Sequence, residues 1–198
     1  MKKATFSGTK SILCKFLLCL TLLALAAGTA SAEHASSEDA GRIEISFTYQ
    51  RGTTIASNQL AVWVENADGA VVKTLLVTEF TAGRRGYRSR TMSLPAWVAA
   101  ASPESMTDEE METVSGATPA QGELVYVWDF TNQSGERVPE GVYTVHVEGT
   151  FYWESDVLYT AVIDTANPAN GIAVEMERTA PDTRENENMI SDVTIRRL

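Results

Sequence analysis

The amino-acid sequence predicts a mainly β protein: an antiparallel β-sandwich with a short helical insertion near residues 94–114. Three observations carry that reading. Apolar residues alternate with polar ones in several short segments, turn residues punctuate those segments, and helical patterning is confined to the middle of the chain.

The first 32 residues read as a cleavable export signal. Lys2, Lys3, Lys10 and Lys15 precede or enter an apolar run from Phe16 to Ala27, and Ala30-Ser31-Ala32 supplies the small residues a signal peptidase needs before Glu33. The apolar run is too short for a permanent membrane helix. Residues 33–41 are small and polar and read as a disordered lead-in, which leaves 42–198 as a single sandwich domain. Ile43, Ile45, Phe47 and Tyr49 then alternate with polar residues as a half-buried strand. Leu60, Val62 and Val64 repeat the pattern, Asn66-Ala67-Asp68-Gly69 supplies a hairpin turn, and Val71 to Val77 returns. Residues 82–91 read as a basic loop. Leu94 to Ala101 reads as a short helix with Pro95 in its first turn. Thr107 with Glu110 forms a capping-box pattern for a second helix that ends near Gly116, with Gly116 expected in the left-handed conformation. Strand-like segments follow at Leu124 to Asp129, Val142 to Glu148, Phe151 to Trp153, Val157 to Asp164, Ile172 to Arg178 and Val193 to Arg197, the last closing an edge. Residues 181–188 read as a polar connection.

Composition narrows the chemistry. The leader holds four of the 16 basic groups and none of the 26 acidic ones, so the remainder is strongly acidic. Such a chain repels polyanions, which argues against nucleic acid or an anionic membrane surface as partner. Cys14 and Cys19 both lie in the leader, so the exported part has no thiol or disulfide. His34 falls in the lead-in, and His146, between Val145 and Val147, shares a strand face with Thr144 and Glu148 that reads as solvated. No HExxH, GxSxG, P-loop or GxGxxG pattern occurs, so no catalytic constellation is expected. Asp108, Glu109, Glu110 and Glu112 lack the spacing of a calcium loop and suit the first turns of a helix. Arg84, Arg85, Arg88 and Arg90 read as a solvated loop, with anion capture as the alternative. Trp63, Trp97, Trp128 and Trp153 read mainly as core, with Trp63, Trp97 and Tyr87 as the aromatics that a carbohydrate- or peptide-binding module would expose.

Two segments carry a family resemblance. One is Ala61-Val62-Trp63-Val64-Glu65-Asn66-Ala67-Asp68-Gly69 with Val72 to Leu75 behind it. The other runs from Val114-Ser115-Gly116-Ala117-Thr118-Pro119 through Gly122, Val127-Trp128-Asp129, Gly135, Val138-Pro139 and Gly141 to Val142-Tyr143-Thr144-Val145 and Glu148. In this order they resemble the predicted periplasmic proteins grouped as domain-of-unknown-function family 2271, over about residues 43–165. The stretch from Trp128-Asp129 to Val145 also resembles the immunoglobulin-like repeat of flagellar hook-cap and cell-surface proteins, which implies an immunoglobulin-like sandwich. There an Asp and a glycine shape a long hairpin, and a Pro-x-Gly-x-Tyr run starts the return strand. Phe130 and Asn132 depart from that pattern.

Ser115-Gly116-Ala117-Thr118 resembles the sequence that periplasmic flavin transferases modify. The resemblance implies FMN esterified through its phosphate to Thr118, with Glu112 standing where the pattern has an Asp six residues before the threonine. Pro119 and Ala120 also differ from the usual following residues. The expected function is therefore that of an exported, non-enzymatic binding or scaffold protein of the periplasm with a protein partner there. The alternatives are a covalent FMN carrier in extracytoplasmic electron transfer and a carbohydrate- or peptide-binding module.

Overall fold

In the computed structural model the described residues are 41–52, 58–83, 86–152, 155–167, 171–179 and 189–198. The expected leader, Arg84, Arg85, Trp153 and the connection at 181–188 lie outside them. In chain order the strands are β1 (Ile43–Tyr49), β2 (Gln59–Asn66), β3 (Val71–Thr78), β4 (Ser115–Gly116), β5 (Gly122–Trp128), β6 (Val142–Tyr152), β7 (Ser155–Asp164), β8 (Glu175–Thr179) and β9 (Ile190–Arg197). Between β3 and β4 come α1 (Glu79–Ala82), α2 (Gly86–Ser89), α3 (Pro95–Ala101), a 3-10 turn at Pro103–Ser105, and α4 (Asp108–Val114).

The strands form two sheets, ordered β5-β1-β9 and β4-β3-β2-β6-β7-β8. Period-two patterning explains how they stack. Ile43, Ile45, Phe47 and Tyr49 turn one face of β1 inward, where Trp128 and Ile195 join them from the flanking strands. Leu60, Val62 and Val64 of β2, Val145 and Val147 of β6, and Ala161 and Ile163 of β7 oppose them from the larger sheet. Gly149 stands where β6 passes close to this core: a Cβ there would meet Phe151 Cζ at 2.4 Å and Ile190 Cδ1 at 2.7 Å. Every pairing is antiparallel except one. β4, two residues long, lies parallel to β3, with Val77 opposite Ser115 and Thr78 opposite Gly116, within an otherwise antiparallel arrangement.

Turn chemistry sets the β2–β3 hairpin. Asn66 Oδ1 accepts the amides of Asp68 (3.0 Å) and Ala70 (2.9 Å), and Gly69 takes φ 77°. The longer β5–β6 connection turns at Gly135 (φ 80°), and the Tyr143 hydroxyl donates to the Pro139 carbonyl at 2.7 Å.

A second core lies on the outer face of the larger sheet. Ala61, Trp63 and Val77 pack there under Leu94, Trp97 and Val114. β2 is therefore buried on both faces, and the helical segment covers a sheet face. The span read as a basic loop contains the end of α1 and all of α2.

Candidate functional site

The motif Glu112 to Thr118 crosses from α4 to the sandwich edge. Thr107 caps α4 as expected: its hydroxyl accepts the Glu110 amide at 3.2 Å, and Glu110 Oε2 accepts the Thr107 amide at 2.7 Å. The Thr107 amide and hydroxyl, both donating to Oε2, pull the Glu110 carboxyl below its ordinary pKa. Asp108, Glu109 and Glu110 fill the first turn, where negative charge suits the helix dipole. Glu112 is exposed in the last turn, while Val114 is buried in the second core and fixes the end of α4.

Ser115 and Gly116 then form β4, the edge strand of the larger sheet. Gly116 is extended, not left-handed as expected; α4 ends at Ser115 in an extended conformation. The reason for glycine here is close approach, since a Cβ at 116 would lie 3.2 Å from Leu76 Cδ1. Residues 117–121 carry the chain across to β5, an edge strand of the other sheet. Ala117 is exposed and Thr118 half-buried on this crossing. Among the described residues the Thr118 side chain makes no hydrogen bond, and none links it to Glu112. A phosphodiester at the Thr118 oxygen would break no internal hydrogen bond, so the residues present fit a flavin phosphate at this position.

The expected solvated face of β6 is in fact the covered one. His146 is buried, its ring stacked on Trp63 at 4.6 Å between centroids and 14° between planes. Glu65 closes the arrangement: Trp63 Nε1 donates to Oε1 at 2.7 Å, and Oε2 lies 3.4 Å from His146 Nε2. Burial pushes the imidazole pKa down, against the upward pull of Glu65. Trp63 and Trp97 are buried as well, which removes both from the aromatics that a sugar- or peptide-binding face would present. Tyr87 is half-buried, with Arg88 over its ring at 5.6 Å.

Sequence reasoning missed a buried polar clasp beside this stack. Glu148 accepts the amides of Ala96 and Trp97 at 2.8 Å each, one on each carboxylate oxygen, at the start of α3. Thr150 Oγ1 accepts the Leu94 amide and donates to Asp156 Oδ1, both at 3.0 Å. Leu94 itself sits at φ 52°, a left-handed conformation that costs a branched residue about 1–2 kcal/mol. Burial raises Glu148 to about 8, with the Asp156 charge adding to it, while the two amides pull the other way. Burial also raises Asp156 to about 6, opposed by hydrogen bonds from Thr150 and Glu148. One proton is thus shared by the pair near neutral pH. The available signal was the run of polar residues Glu148, Thr150 and Asp156 on the strand face that also carries Trp63.

Among the described residues no group of three or more His, Cys, Asp or Glu could hold a metal ion. Asp129, the acid of the β5–β6 hairpin, is engaged by Lys73 Nζ at 3.1 Å and by the Thr131 hydroxyl at 2.6 Å.

A family model described as "Predicted periplasmic protein (DUF2271)" matches residues 41–178. The chain belongs to this family. In DUF2271 terms the match takes in β1 to β7 and most of β8, the helical cover and the 112–118 motif, and ends before β9 of the smaller sheet. No curated protein and no solved structure matches the chain. The family's periplasmic description agrees with the expected localisation, and among the described residues no helix is long and apolar enough to cross a membrane.

Proposed function

We propose that this DUF2271 protein is an exported, non-enzymatic binding module whose bound group is FMN, joined covalently at Thr118, and that it passes electrons to a protein partner in the periplasm. The observation that carries the reading is the placement of Ser115-Gly116-Ala117-Thr118. The sequence that resembles a flavin acceptor lies on an edge crossing, with a threonine hydroxyl that no hydrogen bond engages among the described residues.

Loading needs two co-reactants, flavin adenine dinucleotide and a periplasmic flavin transferase. The Thr118 oxygen forms a bond to the phosphorus of the FMN half, the pyrophosphate bond breaks, and AMP leaves. The hydroxyl proton passes to solvent or to AMP, and no electrons change hands in this step. Bound FMN supplies reversible one- and two-electron chemistry. The chain contributes the oxygen and the edge strand that leads to it.

The test is an intact mass of the exported protein after co-expression with such a transferase. A gain of one FMN less one water, absent in Thr118→Val, is the expected result. An unmodified mass in the wild type overturns the carrier reading and leaves a colourless binding or scaffold module.

A further inference from the structure

β3 and β4 run parallel with Thr78 opposite Gly116, and each chain then continues two residues, to Phe80 on one side and to Thr118 on the other. α1 packs beside β4, so Phe80 stands on a helix next to the strand that leads to Thr118. Phe80 is 47% exposed, a large apolar side chain left facing solvent on α1. Trp63, Trp97, Trp128, Phe47, Phe130 and Phe151 are all buried. A lone exposed phenylalanine is ordinary on a protein surface. Its place on the short helix that follows β3 and packs beside the acceptor strand is what gives this one a use.

We infer that Phe80 is the stacking platform for the isoalloxazine ring of FMN attached at Thr118, an inference that rests on the carrier reading above. The ring is flat with apolar faces, and a benzyl side chain beside the tether would withdraw one of those faces from water. A ring held in this way keeps a fixed orientation toward an electron partner, whereas an unsupported one swings on its ribityl chain.

The experiment uses full-length protein co-expressed with a periplasmic flavin transferase, as wild type, Phe80→Ala and Phe80→Trp, each first weighed intact. Flavin fluorescence anisotropy decay and emission yield are then measured before and after unfolding in guanidinium. In the wild type the ring is expected to tumble with the whole protein, and Phe80→Ala should add a fast motion that takes up most of the decay. An indole in contact quenches flavin emission, so Phe80→Trp should lower the native yield several-fold, with recovery on unfolding. A Phe80→Ala decay identical to the wild type, or an undiminished yield in Phe80→Trp, overturns the platform. Absence of the flavin mass in the wild type overturns the carrier reading itself, and does so before any fluorescence is read.

Discussion

Glu148 is wholly buried, yet both of its oxygens are engaged by backbone amides of α3. Removing it would leave the Ala96 and Trp97 amides without acceptors inside the fold. Glu148→Ala should therefore destabilise by about 3 kcal/mol, read as a lower urea midpoint. Glu148→Gln keeps the volume but turns an amide NH2 toward one of those donors, so a smaller loss is expected. His146 allows a sharper test. Burial lowers its pKa and Glu65 opposes that shift, so its proton resonances should titrate below the 6.5 of a free imidazole. Glu65→Gln should move the midpoint further down, and an upward move would contradict the Trp63–Glu65–His146 geometry.

At the scale of elements, α4 sets where the candidate acceptor segment begins. Its capping box predicts that Thr107→Ala costs about 1 kcal/mol, measurable by thermal or urea unfolding. The helical cover depends more on Trp63 and Trp97, and Trp63→Ala should cost about 3–5 kcal/mol because the cover cannot collapse onto an alanine. Most elements were legible because local chemistry fixes them. Alternation marks β1, Asn66 and Gly69 mark the hairpin, and Thr107 with Glu110 marks the start of α4. Period-two patterning says which residues share a face but not which face will be covered. The cover over β6 comes from residues 79–114, remote in sequence, so His146 and Glu148 read as solvated when they are enclosed. The left-handed Leu94 was equally invisible, since no glycine or asparagine announces it. Of the candidate site, the motif itself was readable. Its place on a parallel edge strand next to α1 was not, because β4 is only two residues long.

Across the whole molecule, the shared proton of Glu148 and Asp156 couples stability to pH. Both pKa values in the fold lie above those of the unfolded chain, about 8 against 4.5 and about 6 against 3.8. The stability they contribute is full below the unfolded values and is lost as pH rises through 6 and then 8, a loss on the order of a few kcal/mol. His146, Glu110 and Asp129 act in the opposite direction. Their pKa values are depressed, so what they contribute is present at neutral pH and lost as pH falls. The urea midpoint should accordingly peak on the acid side of neutrality, fall as pH rises to about 8, and level off above it, where both acids are ionised in the folded and unfolded chain alike. Glu148 holds the start of α3, so the alkaline loss should show first as proteolytic cleavage within residues 79–114 while the sandwich core stays protected. Glu148→Gln removes the higher-titrating group and should flatten the alkaline limb. A limb equally steep in that variant would place the pH dependence elsewhere in the fold.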